Sequence, residues 1–494
     1  MRLQDKVVIV TGGASGIGEA ASRLFAQEGA TIAVVDVNGP AGESVAKSIR
    51  DEGGRAEYLS ANVADYESVR ACVDAVTRQH GRLDVMFNNA GIGAQTTDDE
   101  AGWWRLLRIN LLGVAWGIAH AAKAMREAGG GSIINTGSHA GQRGCRQGIY
   151  GASKAAVHTL TRHAALYLAP DRIRVNAVLP GNIYTPIHDA RRHDAIVRFV
   201  DGDRDAFNAG STQDSGPPAN REAMIKEFQR IHPMGRLGRE DDIAQAALFL
   251  ASDDAAIVTG NEFLVNGGIF AAQMRDRIVG TPATAPQTVL PPAKGTVAII
   301  SGNRPMAEAL AARFERDSVT VAVANHARTG SWPDLQQWLD QLGNLAGIVF
   351  ALRPDSQGDL FTQGPKDWEE ELAINYRLPW MLGQHALKAV VPGGWLTFVA
   401  DAAGLTGAGS SPAFAAASAA LIYSTDDLAH LLRPRGIRVN ILIPELSGRS
   451  TNAPGLGLVA SPADIAEVAV ALARNAAGLT GLQVSLETSH PDHD

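Results

Sequence analysis

The chain has 494 residues, of which 45% are hydrophobic and 19% are charged, and its formal net charge is −8. This composition is typical of a globular protein, and the length exceeds what one core usually organises, so two or more domains are expected. The acidic balance gives no electrostatic reason to expect nucleic acid or an anionic membrane as a partner.

Two further absences narrow the class of protein. Cys72 and Cys145 are the only cysteines, too few for a disulfide framework or a cysteine-based zinc site, and no metal is expected. The N-terminus, MRLQDKVVIVTGG, enters an apolar strand without the layout of a signal peptide, and no run of about 18 apolar residues suggests a membrane span. We therefore expect a cytoplasmic protein.

The first predicted elements are a strand and a glycine-rich turn. Lys6 to Val10 is a short apolar run typical of a buried parallel strand. It leads into TGGASGIGEAASRLFAQEG, where Gly12, Gly16 and Gly18 open an amphipathic helix. Glycines let the backbone approach a pyrophosphate, and a helix N-terminus offers unpaired N–H groups. This segment predicts a dinucleotide-binding turn.

The next apolar run, Ala30 to Val35, ends at Asp36. In a dinucleotide-binding βαβ unit, a carboxylate near this point accepts hydrogen bonds from the adenosine ribose. It would repel a 2′-phosphate, and Ala14 and Ser15 stand in the turn where a basic residue would be wanted. The sequence therefore favours NAD over NADP.

Further along, Tyr150 and Lys154 lie four residues apart, after Ser138 and a glycine-rich stretch. If the chain is helical from Tyr150 to about Leu168, the phenol and the ammonium share one face. Tyrosine is a poor base at neutral pH, and a neighbouring cation favours its phenolate. Ser138 could then hydrogen-bond the substrate oxygen. Taken alone, the spacing also fits a core tyrosine beside a surface lysine.

These motifs, in this order, resemble the short-chain dehydrogenase/reductase family. Its G-x-x-x-G-x-G pattern matches the glycines at 12, 16 and 18, and its N-N-A-G pattern matches 88–91. The resemblance implies an α/β fold with a doubly wound, Rossmann-type parallel sheet. The implied catalytic residues are Asn110, Ser138, Tyr150 and Lys154. The implied NAD-binding residues are Gly12, Ser15, Gly16, Ile17, Gly18, Asp36, Asn62, Val63, Asn89, Ala90, Gly91, Tyr150, Lys154, Pro180, Gly181, Ile183 and Thr185.

The resemblance also implies a reaction, the interconversion of a small-molecule secondary alcohol and a ketone by hydride transfer. In the oxidation direction, Tyr150 as phenolate takes the hydroxyl proton, while Lys154 lowers the pKa of Tyr150 and hydrogen-bonds the nicotinamide ribose. Asn110, in the family's scheme, holds a water that links Lys154 to solvent. His139 follows Ser138 in what reads as an extended segment, so its side chain is expected to point away from the site.

Two positions depart from the family pattern. Asn62 stands where an aspartate usually lies near the adenine amino group, and an asparagine keeps one polar contact there. The spacing from Ser138 to Tyr150 is one residue shorter than in many relatives, which reshapes a substrate-side loop. Substrate selection is expected between Pro186 and about Pro233, whose nearly balanced charges do not identify the substrate.

Beyond the first domain, expected at 1–272, a stretch rich in Pro, Ala and Thr predicts a linker at 273–294. The domain expected at 295–494 repeats the plan of the first. GTVAIISGNRPMAEALAARF echoes the first strand, turn and helix, WEEELAINYRLPW echoes WWRLLRINLLGVA, and RPRGIRVNILIPE echoes APDRIRVNAVLPG. We expect two Rossmann-type domains in tandem.

The second copy keeps the apolar strands but lacks most of the glycines and catalytic residues of the first. One of the three glycines survives, and a proline beside it removes an N–H that a phosphate would use. Because a phenylalanine stands in place of the catalytic tyrosine, the second domain is expected to be inert. The corresponding residues are Gly302, Arg304 and Pro305 in the turn, Asn325 for Asp36, Phe350–Ala351 for the paired asparagines, Asn375 for Asn110, Asp401 for Ser138, Phe414 for Tyr150 and Ser418 for Lys154.

Three functions compete. The leading one is an NAD-dependent alcohol dehydrogenase or carbonyl reductase. A 3-oxoacyl-thioester reductase of the same family would be favoured by a basic patch for a carrier protein and by an NADP-binding residue, and the sequence shows neither. An NAD-responsive scaffold or binding protein is the alternative from another class, and the complete tetrad argues against it.

The expected partners follow from two helices in each half. Family members commonly associate through the helices that correspond to 103–125 and about 150–168. Their counterparts at 368–390 and 414–432 remain rich in Ala, Leu and Trp. Since apolar helix faces require burial, we expect the halves to form an intramolecular pseudo-dimer, and two chains to form a homodimer.

Overall fold

The computed structural model describes residues 1–93, 100–142, 147–183, 233–268, 295–324, 332–352, 358–407, 411–444, 461–475 and 482–486. The chain folds as two compact units, the first unit Met1–Ala283 and the second unit Thr284–Asp494. Thr185, the predicted linker, Asn325 and nearly all of the predicted substrate-selecting segment lie outside the described residues. The pseudo-dimer, the homodimer and the cytoplasmic location stay predictions.

The described part of the first unit alternates strands and helices. The strands are β1 (Val7–Thr11), β2 (Thr31–Asp36), β3 (Arg55–Ser60), β4 (Val85–Asn88), β5 (Gly131–Thr136), β6 (Ile173–Pro180) and β7 (Glu262–Val265). The helices are α1 (Gly16–Gln27), α2 (Gly39–Asp51), α3 (Tyr66–His80), α4 (Glu100–Leu107), α5 (Gly113–Ala128), α6 (Gly148–Leu168) and α7 (Glu240–Ala251).

These strands form one parallel sheet in the order β3–β2–β1–β4–β5–β6–β7. β1 and β4 are buried along their whole length, as expected for central parallel strands covered by helices on both faces. The strand order reverses between β1 and β4, and in such sheets ligands bind at the carboxyl ends of the strands next to that point. The α/β parallel-sheet fold predicted for this part of the chain is confirmed.

The second unit also forms a parallel sheet. Its described strands are β8 (Thr296–Ser301), β9 (Val321–Ala324), β10 (Leu345–Ala351), β11 (Val390–Val399), β12 (Arg438–Pro444) and β13 (Leu482–Leu486). The helices are α8 (Arg304–Glu315), α9 (Trp332–Leu342), α10 (Pro365–Leu372), α11 (Leu378–Ala389), α12 (Ala403–Thr406), α13 (Pro412–Leu432) and α14 (Pro462–Asn475). The order β9–β8–β10–β11–β12–β13 is that of the first sheet without a counterpart of β3 among the described residues.

The pairing of β10 with β8 shows that the residues predicted to replace the paired asparagines were misaligned by one position. β4 pairs with β1 through Phe87 and Val10, and β10 pairs with β8 through Phe350 and Ile300. An irregularity between Leu345 and Gly347 shifts the register of β10. Phe350 therefore matches Phe87, and the paired asparagines correspond to residues 351–352 rather than to 350–351, because the shift adds one residue near the start of the strand.

A five-residue π-helical segment interrupts the long helix predicted at 103–125. It spans Arg108–Leu112, between α4 and α5, and holds Asn110 with its side chain fully buried. The second unit has the same feature at Ala373–Arg377, which holds Asn375. A π turn inside an α-helix is rare and often marks a functional position. Among the described residues, no helix is long and apolar enough to cross a membrane.

A chain of buried side chains ties the middle of the sheet to α6. The side-chain NH₂ of Asn88 donates to Oδ1 of Asn135 (2.9 Å), and the side-chain NH₂ of Asn135 donates to the Thr161 hydroxyl (2.9 Å). Asn135 and Thr161 are fully buried. Since a buried amide is costly to leave without an acceptor, this chain fixes the position of α6 relative to β4 and β5.

Thr161→Val should lower the free energy of unfolding of the first unit by about 1–3 kcal/mol, because the Asn135 amide loses its acceptor in a buried place. Thr425→Val is the matched control. Thr425 stands at the same place in α13, is equally buried, and its hydroxyl bonds the Leu421 carbonyl one turn back (3.1 Å). Urea denaturation should show a smaller loss for the control, and equal losses would contradict the role of this chain.

Candidate active site

The glycine turn between β1 and α1 requires glycine at three positions. Gly12 and Gly16 have left-handed backbone, with φ of 65° and 54°. A Cβ on Gly18 would lie 2.0 Å from the Gly12 carbonyl oxygen, so only glycine fits there. Ser15 precedes α1 and its side chain makes no capping hydrogen bond, and Ile17 lies in the first turn of the helix. The N–H groups of this helix N-terminus are therefore available to an anion.

Asp36 ends β2 beside this turn. Its carboxylate accepts hydrogen bonds from the backbone N–H groups of Ala14 (3.2 Å) and Asn38 (2.9 Å). The Tyr58 hydroxyl donates to the Asp36 carbonyl oxygen (3.0 Å). These contacts fix the carboxylate at the end of β2, next to the glycine turn, where the sequence predicted an acceptor for a ribose.

Asn62 and Val63 follow β3. The side-chain Oδ1 of Asn62 accepts the Ala64 N–H (3.0 Å), which leaves the side-chain NH₂ as the group that Asn62 can offer a ligand. Val63 packs against Gly113 at the start of α5, where a Cβ would lie 3.0 Å from the Val63 side chain. Their predicted roles near an adenine stay predictions.

Asn89 links the ends of three strands. Its amide donates to the Thr11 carbonyl oxygen (3.1 Å), and its own carbonyl oxygen accepts from the Thr136 hydroxyl (3.2 Å). The Thr11 hydroxyl in turn accepts the N–H groups of Asn89 (2.9 Å) and Ala90 (3.2 Å). The carboxyl ends of β1, β4 and β5 are thereby held together. Sequence reasoning missed both threonines, whose partners lie far away in the chain.

Gly91 brings two predicted catalytic residues together. A Cβ at this position would lie 3.3 Å from the Asn110 carbonyl oxygen and 3.6 Å from the Lys154 ammonium. Asn110 is fixed by two bonds to Ile92, accepting from its N–H (2.8 Å) and donating to its carbonyl oxygen (2.9 Å). The π turn therefore holds the Asn110 side-chain amide in a fixed orientation near Lys154.

Tyr150 and Lys154 lie on α6, whose range confirms the predicted helix. Lys154 is 3% exposed and donates to the Thr136 carbonyl oxygen (2.9 Å), while its Nζ lies 5.9 Å from the centre of the half-buried Tyr150 ring. The Ser138 hydroxyl lies close enough to the Tyr150 hydroxyl to lower the pKa of that phenol. The structure thus brings Asn110, Ser138, Tyr150 and Lys154 to the carboxyl ends of β4 and β5.

Burial determines the acidity of both groups. It lowers the pKa of Lys154 to about 8. It also raises the pKa of Tyr150, and the hydrogen bond with Ser138 only partly opposes this rise. In the chain by itself the pKa of Tyr150 therefore moves in the direction opposite to the one predicted from the sequence, because removal from water disfavours the phenolate and the ammonium alike.

The segments after β5 and β6 complete the site. His139 lies in a 3₁₀ turn, His139–Gly141, and not in the expected extended segment, and its Nδ1 donates to the Pro180 carbonyl oxygen (3.1 Å). A Cβ on Gly181 would lie 2.7 Å from Asn266. The Ile183 side chain is 5% exposed and packs in the core, so only its backbone can serve a ligand.

The corresponding place in the second unit is built from other groups. Phe414 is buried, and the Ser418 hydroxyl is held by the backbone of Asp401, accepting its N–H (3.0 Å) and donating to its carbonyl oxygen (3.1 Å). The turn from β8 to α8 is two residues, 302–303, against the four residues 12–15 of the first unit. The Asn303 side chain caps α8 by accepting the Met306 N–H (3.1 Å).

Comparison with known proteins gives matches along most of the chain. A family model described as short chain dehydrogenase matches residues 6–196, and one described as enoyl-(acyl carrier protein) reductase matches residues 208–270 and 295–486. Cyclohexanol dehydrogenase from Acinetobacter sp. (strain SE19) is 35% identical over 271 residues, 54% of this chain and 95% of that protein.

Two further relatives match to a similar extent. Cis-4-hydroxycyclohexanecarboxylate dehydrogenase from Sinomonas cyclohexanicum is 38% identical over 272 residues, 54% of this chain and 97% of that protein. A 3-oxoacyl-(acyl-carrier-protein) reductase from Thermotoga maritima is 35% identical over 276 residues, 54% of this chain and 99% of that protein.

Lys154 should lose its proton with a pKa of about 8, because burial disfavours its ammonium. The ¹³Cε chemical shifts of labelled lysines, followed against pH in the full chain, would show this, with the Lys154 signal assigned by its absence in Lys154→Met. A signal that titrates near the ordinary lysine value of about 10.4 would contradict it.

Proposed function

Because the chain belongs to the short-chain dehydrogenase family, and is an oxidoreductase acting on CH–OH groups, we propose that it interconverts a secondary alcohol and a ketone with NAD as cofactor. The observation that carries this proposal is the arrangement of Lys154. Its buried ammonium is held by the Thr136 carbonyl oxygen, beside the Tyr150 ring and the Asn110 amide. A buried cation with one carbonyl partner and a phenol as neighbour is suited to proton transfer.

The proton steps follow from these contacts. In oxidation, the Tyr150 oxygen accepts the proton of the substrate hydroxyl, and in reduction it returns one to the carbonyl oxygen. Lys154 supplies the positive charge that favours the phenolate at that moment. Ser138, whose hydroxyl is near enough to Tyr150 to lower its pKa, is placed to donate to the same substrate oxygen.

The residues around the glycine turn fit a nicotinamide dinucleotide. The uncapped N-terminus of α1 and the left-handed backbone at Gly12 and Gly16 suit a pyrophosphate, and the backbone-held carboxylate of Asp36 suits a ribose diol. Gly91 leaves space beside Lys154 and Asn110. When bound, the nicotinamide supplies the acceptor or donor of hydride. Asp36 supports NAD rather than NADP, since a fixed carboxylate repels a 2′-phosphate.

We propose an alicyclic secondary alcohol as the first substrate class to test, because two relatives are named for ring alcohols. The second candidate is reduction of a 3-oxoacyl thioester, which the Thermotoga relative favours. A panel of cyclohexanol, linear secondary alcohols and an acetoacetyl thioester, each with NAD(H) and NADP(H), separates the two. Turnover of the thioester alone, or a preference for NADP(H), would contradict the leading proposal.

We further propose that the second unit is a degenerate copy of the first that binds no dinucleotide and performs no hydride transfer. Phe414 has no proton to exchange, and Ser418 carries no charge. The shorter turn and the Asn303 cap use the space and one of the N–H groups that a pyrophosphate would need at α8. Pro305 removes another donor in the same turn.

Tyr150→Phe should lower kcat for the best substrate of the panel by about 10²–10⁴-fold, because the ring still packs but no longer exchanges a proton. Its affinity for NAD⁺, measured by fluorescence titration, should stay near that of the unchanged protein, because the phenylalanine ring keeps the packing and loses only the hydroxyl. Tyr376→Phe is the matched control, since Tyr376 is a buried tyrosine of the second unit whose hydroxyl contacts Ser424 (3.4 Å). If Tyr150→Phe retained most of its activity, Tyr150 would not be the acid–base group.

A further inference from the structure

His158 lies on α6, four residues after Lys154 and on the same face of the helix. It is 3% exposed, and its Nε2 lies 3.3 Å from the backbone nitrogen of Ser138. A backbone N–H can only donate, so Nε2 is the acceptor and carries no proton. The imidazole is therefore neutral, and burial lowers its pKa to about 4.

The other ring nitrogen faces an acidic side chain. His158 Nδ1 lies 3.6 Å from a carboxylate oxygen of Glu262 at the start of β7. Glu262 also pairs with Arg162 on the next turn of α6 and accepts from the Gln142 amide (3.1 Å). A carboxylate on this side favours the proton at Nδ1, which leaves Nε2 free to accept from Ser138.

The loop that carries Ser138 is wrapped around this ring. A Cβ on Gly137 would lie 2.6 Å from His158 Nε2, and a Cβ on Gly141 would lie 2.7 Å from His158 Cε1. Both glycines are thus required for the ring to approach. The Ser138 hydroxyl accepts the Ala140 N–H (3.1 Å) and lies close enough to Tyr150 to lower the pKa of its phenol. The position of the Ser138 backbone therefore sets the position of that hydroxyl.

In the second unit, which has no lysine at this place, the backbone N–H that corresponds to that of Ser138 has a different acceptor. The counterpart of Ser138 is Asp401, whose backbone N–H is accepted by the hydroxyl of Ser418, in the place of Lys154. Ile422 then stands in the place of His158, against Gly404. In the first unit Lys154 has no acceptor to offer, because its ammonium only donates. In the first unit the acceptor is instead supplied one turn later, by His158.

We propose that His158 is a positioning residue for the reaction, whose neutral imidazole holds the backbone N–H of Ser138 and so fixes the Ser138 hydroxyl against Tyr150. Neither the family resemblance nor the four predicted catalytic residues includes it. This inference rests on the proposed function, since it assigns His158 a part in the same proton transfer.

Two substitutions separate the two nitrogens of the ring. His158→Gln places an acceptor near the position of Nε2, and His158→Asn places a donor near that of Nδ1 and leaves the Ser138 N–H without a partner. We expect His158→Asn to lower kcat by roughly 10- to 100-fold with the affinity for NAD⁺ unchanged, and His158→Gln to retain kcat near that of the unchanged protein. Equal losses for the two variants at equal thermal stability would overturn the proposal.

A double variant that combines His158→Asn with Ser138→Ala tests whether His158 affects kcat through the Ser138 hydroxyl. If His158 acts through the Ser138 hydroxyl, His158→Asn should lower kcat little further once that hydroxyl is gone. A further fall as large as that in the unchanged protein would show that His158 acts by another route, and would overturn the proposal.

A third measurement does not depend on turnover. The ¹⁵N shifts of the His158 ring in the full chain, assigned by their loss in His158→Gln, should show a protonated Nδ1 and an unprotonated Nε2 at pH 7. A protonated Nε2 would overturn the proposal even if every variant were unstable. Failure of the unchanged protein to oxidise any alcohol would instead contradict the proposed function and leave the tautomer as measured.

Discussion

The burial of one ammonium group constrains the rest of this site. Lys154 is almost fully removed from water, and a buried cation is stable only where acceptors face it. The acceptor is the Thr136 carbonyl at the end of β5, which is free because β5 has ended and the chain turns towards Ser138. The end of a strand, the start of a loop and one face of α6 therefore meet at a single point.

Other features of the first unit follow from holding that point in place. Asn89 and Thr11 hold the ends of β1, β4 and β5 together, and Asn135 ties β5 to α6 through Thr161. The π turn directs Asn110 towards Gly91 and the lysine. Since protein interiors are close-packed, each of these bonds limits where the ammonium can lie relative to Tyr150.

Much of the fold and of the candidate site of the first unit could be predicted from the sequence. The features that could not be predicted were missed for physical reasons. The order of the glycine turn, Asp36 and the Tyr150–Lys154 pair indicated the fold of the first unit, since each is a local pattern. The π turn could not be predicted, because apolar residues flank Asn110 on both sides and the sequence shows no break in the helix there. The register of Phe350 and the partners of Thr136 and His158 depend on contacts between distant segments. The acidity of Tyr150 depends on burial, which no spacing reports.

On the proposed function, one chain holds one complete catalytic centre, in the first unit. Isothermal titration calorimetry of the full chain with NAD⁺ tests it most directly, because it counts dinucleotide sites without reference to a substrate. We expect one site per chain, since the turn at Gly12 is open and the turn at Gly302 is short and capped. Two equivalent sites per chain, or none, would contradict this claim.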